Sequence, residues 1–287
     1  MTGPTWLVLV ACLLALAALG LPALGARRWA AAARTLVSRL EAARVDDTTR
    51  PGRYHPRELE GLPAPVQRYF RAVLHEGQPI IRAATIDLAG TFNLSSDGQR
   101  WRPFTSRQRV VTHRPGFVWD ARVAMMPGVP VRVVDGYIAG EGLLRAAVWG
   151  LFTVAEVRGV GEIARGELMR YFAESAWYPT ALLPSQGVRW APVDDASAKA
   201  TIGDGPLSLT LLFRFDDAGL IASFLAEARG AMEGKAQVMR PWEGRWSDYR
   251  EHDGMLVPHA GEVAWLRPDG RKLYFVGAVR NLAHAYA

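Results

Sequence analysis

Leu207-Ser208-Leu209-Thr210-Leu211-Leu212-Phe213-Arg214-Phe215, followed by Asp216-Asp217-Ala218-Gly219, decides the fold class. Leucine or phenylalanine stands at 207, 209, 211, 213 and 215, and Ser208, Thr210 and Arg214 alternate with them. Successive side chains of a strand point to opposite faces, so this period of two marks a strand with one buried face. Asp-Asp-Ala-Gly has the residue types of a tight turn. Alternation resumes over 220–229, so the unit is an antiparallel hairpin.

The same signal extends in both directions. Strands are expected at 187–193, 196–202, 244–251, 255–266 and 272–282, the last pair joined by Arg267-Pro268-Asp269-Gly270. Toward the N-terminus they are expected at 81–94, 99–112, 116–126 and 129–138, with Ser95-Ser96-Asp97-Gly98 as one turn. One helical segment, about 161–176, separates the two β blocks. A shorter helix opens at Pro63 and Pro65, carries Val66, Tyr69, Phe70, Val73 and Leu74 on one face, and stops at Gly77. Short turns between most strands imply an antiparallel sheet. The expected fold is mainly β with helices (α+β): a curved antiparallel sheet or incomplete barrel whose concave face is covered by a helix, plus an N-terminal transmembrane helix.

The chain has 287 residues, 49% apolar and 22% charged, which suits a globular core and excludes general disorder. Its net charge is +6, but the basic residues are scattered, which speaks against a nucleic-acid partner. The single cysteine, Cys12, excludes an internal disulfide and a cysteine-rich zinc site.

Residues 6–26, from Trp6 to Ala26, form an uncharged apolar run about 30 Å long as a helix, enough to cross a bilayer core. Trp6 and Trp29 flank it like an interfacial belt. Two other readings stand beside the anchor. Ala23-Leu24-Gly25 would suit signal cleavage, but no basic residue precedes the run. Leu9-Val10-Ala11-Cys12 reads like a lipobox, but the apolar run continues past Cys12. Arg27, Arg28, Arg34, Arg39 and Arg44 follow the run and suit anionic headgroups. By the same bias the domain lies on the cytoplasmic side of a single-pass cell-membrane protein, with the extracytoplasmic side still open. The expected organisation is an anchor at 1–26, a juxtamembrane helix and polar linker at 27–61, and one β-rich domain at 62–287.

No Gly-x-Ser-x-Gly elbow, Walker loop or His-Glu-x-x-His is present. The six histidines are dispersed in sequence, so no metal is expected, although strands could bring some together. Gly159-Val160-Gly161-Glu162-Ile163-Ala164 fits a dinucleotide-loop pattern. Its surroundings are hairpins rather than βαβ units, and it reads better as a strand-to-helix turn, so no cofactor is expected. The most distinctive stretch runs from Arg170 to Pro184. Arg170 and Glu174 share a helix face, and Trp177 and Tyr178 lead into Pro179. Arg170, Glu174, Trp177, Tyr178 and Trp190 are the candidate ligand contacts; the rival and plainer reading is a helix that plugs the sheet, with an ion pair at its edge.

This stretch resembles the hallmark of an uncharacterised bacterial family, a domain of unknown function, which carries Arg-Tyr-Leu-Ala-Glu followed by Trp-Tyr-Pro-Thr-Ala-Leu-Leu-Pro. Here Phe172 replaces the usual leucine. Leu62-Pro63-Ala64-Pro65-Val66-Gln67-Arg68-Tyr69, Pro115-Gly116-Phe117-Val118-Trp119-Asp120-Ala121 and Gly187-Val188-Arg189-Trp190 resemble it too, so the likeness runs from about Leu62 to the C-terminus. The resemblance implies no catalytic residues.

Three readings of function stay open. The first is a module beside the bilayer that holds a lipid or other apolar ligand in the curved sheet. The second is an enzyme in which Arg170, Glu174, Asp120, Asp135, Tyr249 and Glu262 converge on one pocket. The third is a structural or interaction module at the membrane.

Overall fold

The stretch at 207–215 forms a strand whose Leu209, Leu211, Phe213 and Phe215 are buried and whose Ser208, Thr210 and Arg214 are exposed. The computed structural model describes residues 3–45, 49–95, 98–233 and 236–287, with the side chains of 3–5, 7–19 and 233 outside the description. In chain order the elements are α1 (Gly3–Ala42), α2 (Ala64–Val73), β1 (Ile81–Asn93), β2 (Trp101–Val111), β3 (Gly116–Met126), β4 (Val129–Ile138), β5 (Glu141–Val148), β6 (Phe152–Gly159) and α3 (Glu162–Ala173). Short 3-10 turns follow between Glu174 and Gln186. Then come β7 (Arg189–Asp194), β8 (Ser197–Asp204), β9 (Leu207–Phe215), β10 (Ile221–Glu233), β11 (Ala236–His252), β12 (Met255–Arg267) and β13 (Gly270–Tyr286).

These thirteen strands make one antiparallel, open, curved sheet in the order β6-β5-β4-β3-β2-β1-β13-β12-β11-β10-β9-β8-β7. The first and last strands pair at its centre, with Ile86 opposite Leu282 and Leu88 opposite Val279. The order therefore consists of two meanders, β1 to β6 running from the centre to one edge and β7 to β13 from the other edge back to the centre. One consequence positions the site: the chain leaves the sheet at one edge, β6, and re-enters at the other, β7. Helix α3 and the 3-10 turns make that crossing over the inner face. Their apolar residues, including Leu168, Phe172, Trp177 and Leu182, are buried in the main core.

Strand β5 lies outside the expected set. Glu141-Gly142-Leu143-Leu144-Arg145-Ala146-Ala147-Val148 has no period of two, because helices cover both of its faces: Leu143 and Ala147 pack with α1, and Gly142 lies against the start of α3. A Cβ on Gly142 would stand 2.6 Å from the backbone of Ile163 and Ala164. The Ser95–Gly98 turn falls partly on residues outside the described ones.

No helix among the described residues is long and apolar enough to cross a membrane. The expected span falls largely on 7–19, whose side chains lie outside the described ones. Residues 27–42 are helical, as expected, and pack on the outer face of the sheet. Trp29 is no interfacial residue: it is 4% exposed, donates from Nε1 to Asp120 Oδ1 at 2.8 Å, and lies beneath the Arg145 guanidinium. Two of the arginines read as headgroup partners are paired within the protein, Arg39 with Glu141 at 3.4 Å and Arg44 with Glu41 at 3.0 Å. Part of the expected linker is also packed. Tyr54 and Leu59 are buried, and the Tyr54 amide donates to the Gln78 carbonyl at 2.9 Å.

Candidate functional site

Helix α3 brings Arg170 to the inner face in its last turn, and the next turn of chain places Glu174 beside it. The hairpins supply the opposing wall. Gln108 on β2 is register partner to Trp119 on β3, which is partner to Asp135 on β4, so the three form a row across the sheet. Arg170 lies over this row. Its Nε donates to Glu174 Oε1 at 2.8 Å, Nη1 to Asp135 Oδ2 at 3.0 Å and Nη2 to Gln108 Oε1 at 3.5 Å. Gln108 Nε2 donates to Glu174 Oε2 at 2.6 Å. The guanidinium carbon also stands 4.8 Å from the centre of the Trp119 ring and 5.0 Å from that of Phe117, a geometry in which ring faces attract a cation.

A second ion pair lies one helical turn earlier. Glu167 Oε1 stands 3.9 Å from Arg229 Nη2, and the Arg229 guanidinium covers the Trp242 ring at 4.1 Å. Burial pushes the Glu167 carboxyl up to about 8; the Asp135 charge adds to the rise and Arg229 opposes it. Burial also raises Asp135 above the usual carboxylate range, against the pull of Arg170. For Arg170 burial alone would weaken the cation, but the carboxylates of Glu174, Asp135 and Glu167 outweigh it and hold the proton more firmly.

This network forms one end of a cavity of about 120 Å3. Asp135, Arg170, Glu174, Arg229 and Glu262 are its charged lining. The rest is largely aromatic: Phe92, Trp177, Phe224, Trp242, Trp246, Tyr274 and Phe275. Rings pack edge-on within that wall, Trp177 against Trp246 at 4.8 Å between centres and Phe224 tilted on Trp242 at 4.9 Å. Gly261 on β12 permits it, since a Cβ there would stand 2.7 Å from the Trp246 ring. Two of the lining residues carry an atom that is buried without a hydrogen-bond partner: Asp135 Oδ1, an acceptor, and Trp246 Nε1, a donor.

Of the five expected ligand contacts, Arg170, Glu174 and Trp177 line the cavity. Tyr178 is fully buried, with its hydroxyl donating to the Tyr171 carbonyl at 2.5 Å. Trp190 packs against Phe213 and donates from Nε1 to the Leu182 carbonyl at 3.0 Å. Of the six residues expected to converge in an enzyme, Arg170, Glu174, Asp135 and Glu262 meet at the cavity. Asp120 is on the outer face with Trp29, and Tyr249 donates to the Ile221 carbonyl at 2.8 Å. Gln108, Glu167, Arg229 and the Trp242–Trp246 pair belong to no sequence motif. The spacing of the two tryptophans along β11 puts them on one strand face, which is the signal the sequence does hold. The Gly159-to-Ala164 stretch is the turn from β6 into α3, with Gly159 at φ 144° and Gly161 at φ 84°. It lies at the edge of an antiparallel sheet, without the parallel βαβ setting of a dinucleotide site.

Among solved structures, the chain is similar to a LolA superfamily protein from Nitrosomonas europaea, at 7% identity and TM-score 0.40, over 78% of this chain and 93% of that one. It is similar to a β-barrel-like protein of domain of unknown function DUF1849 from Brucella abortus, at 12% identity and TM-score 0.23, over 72% and 99%. It is also similar to a porin-like protein from Bacteroides uniformis, at 7% identity and TM-score 0.25, over 73% and 98%. No curated protein matches the chain. The model of a family of unknown function, DUF6920, matches residues 60–284, which span the crossing helix and all but the last two residues of the sheet, and the chain belongs to that family.

Proposed function

We propose that this protein binds an apolar ligand, such as a lipid, in the aromatic cavity on the inner face of the sheet. The observation that carries the reading is a largely aromatic wall that includes two residues, Asp135 and Trp246, each with a buried and unpartnered polar atom. Buried polar atoms are almost always satisfied, so in this reading small side-chain shifts uncover these two atoms to a ligand's own polar group. That group is uncharged. Arg170 is already held by Asp135 and Glu174, and the Arg229 guanidinium is stacked on the Trp242 face. A hydroxyl beside an ester or amide linkage supplies the donor and the acceptor. The volume is below the ~300 Å3 that encloses a drug-sized ligand. The cavity therefore takes the polar linkage and the first part of an acyl chain, and the remainder lies along the open rim. In this reading the apolar run at 6–26 tethers the domain to a bilayer, the ligand's source, with the arginine bias assigning the domain to the cytoplasmic side.

Calorimetric titration of the full chain with monolauroylglycerol tests the reading. Val263 on β12 also lines the cavity, so one-to-one binding is expected and should weaken at least about tenfold in Val263→Trp, which fills it. Absence of saturable binding, or equal binding by the variant, overturns it. A second reading, an acid–base enzyme, has one observation in its favour: Asp135, Glu174, Glu262 and Arg170 meet at the cavity. Release of free laurate during the same titration would move the assignment to that reading.

A further inference from the structure

The β11–β12 turn and the last strand meet at a group of side chains remote in sequence from one another. His252 ends β11, Asp253 forms the turn at φ 51°, and His284 comes from β13. Asp253 Oδ2 stands 3.6 Å from His252 Nε2 and 3.8 Å from His284 Nδ1, and the three atoms lie within 4.8 Å of one another. We infer that His252, Asp253 and His284 bind one divalent transition-metal cation of the zinc type, with a water completing its coordination.

The protonation pattern supports the geometry. His284 Nε2 lies 2.9 Å from the Trp177 carbonyl, which can only accept, so that nitrogen carries the hydrogen and Nδ1 presents its lone pair to Asp253. A metal-bound imidazole is held by the same kind of outer hydrogen bond to a carbonyl. The Tyr286 hydroxyl donates to Asp253 Oδ2 at 2.7 Å; its contact with His284 Nδ1 is 3.5 Å, which leaves that lone pair without a proton. His252 Nε2 is buried and has no hydrogen-bond partner.

Hydrogen bonding within the group does not account for this arrangement, because 3.6 and 3.8 Å are too long for it. A cation does. Ligand atoms around a tetrahedral zinc stand roughly 3.4 Å apart, so closing the group takes shifts of about 1 Å or less. Two imidazoles and one carboxylate suit a zinc-type ion, and three protein ligands leave a position for water. The Asp253 side chain is 47% exposed, so water and metal both have access. The turn is also braced for the purpose: Gln78 Nε2 donates to the Asp253 carbonyl at 3.4 Å, and His75 Nδ1 lies 3.3 Å from that of Gly254. Through His284 the ion would fix the carbonyl of Trp177, a wall of the cavity, whatever the cavity holds.

The test uses the untagged full chain stripped with a chelator, titrated with Zn2+ by calorimetry and with Co2+ by visible absorption. One-to-one zinc binding, a four-coordinate cobalt spectrum and a zinc-dependent rise in Tm are expected. His252→Ala and Asp253→Asn should each weaken zinc at least about tenfold. Both residues lie at a turn, so circular dichroism of the metal-free variants should match the parent. His284 is left intact because its ring is buried against Trp177. Absence of saturable zinc binding by the parent, or unchanged affinity in both folded variants, overturns the inference.

Discussion

Arg170 Nη1 stands 3.0 Å from Asp135 Oδ2, and this contact ties the crossing helix to a strand, β4, that the whole β5–β6 hairpin separates from it in sequence. The same guanidinium holds Glu174, and its face is stacked on Trp119. One side chain therefore pairs with two largely buried carboxylates. Arg170→Met should destabilise the protein by about 3–5 kcal/mol, because it leaves both carboxylates without their cation. Arg170→Met combined with Asp135→Asn and Glu174→Gln should recover much of that loss. Urea denaturation of the two variants checks the difference.

Glu167 sets a pH dependence. Its folded carboxyl is raised to about 8, so between the ordinary carboxylate range and that value the folded state holds a proton that the unfolded state has released. Stability contributed by this group is present at low pH and is lost as pH rises toward 8, and the raised Asp135 acts in the same direction. The contribution of Glu167 is read as the difference in melting temperature between the parent and Glu167→Gln, which should shift against the parent between pH 5 and pH 8 by the equivalent of a few kcal/mol at most. A difference that shifts in the parent's favour over that interval would contradict the account.

Trp29 joins the first helix to the outer face of the sheet through Asp120 and Arg145. Trp29→Ala should release the second half of α1, with a loss of about 3–5 kcal/mol in the packing of that helix. Hydrogen exchange should then accelerate across 27–42 and leave the central pair, β1 and β13, protected.

Gly261 leaves room for the Trp246 ring. Gly261→Val should push that ring into the cavity, cost about 1–3 kcal/mol of stability and reduce binding of an acyl ligand at least about tenfold. Calorimetry with monolauroylglycerol on the folded variant reads this directly.

The β pattern is legible wherever one face of a strand meets water. In β9 every second residue is buried, and the period of two follows. In β5 both faces are covered, so Leu143, Leu144 and Ala147 read as an apolar run with no preferred state. The Arg170–Glu174 pair is legible because helix geometry brings residues four apart together. Its other partners are not. Gln108 and Asp135 reach Arg170 only through the registers of two successive hairpins, and sequence spacing carries no register of that kind. Aromatic residues are the weakest guide: Trp177 faces the cavity, while Tyr178 next to it is closed in the core, and both have the same composition signal. His252 and His284 meet because β12 and β13 fold back between them, a proximity that linear spacing hides.

The central claim is that the inner cavity holds an apolar ligand. Native mass spectrometry of the full chain purified from its host, followed by solvent extraction and lipid analysis, tests it most directly. The account predicts a co-purified lipid at near-stoichiometric amount, uncharged at its linkage region, and lost in Val263→Trp. A well-folded parent chain that carries no lipid, and takes none from vesicles, would contradict it.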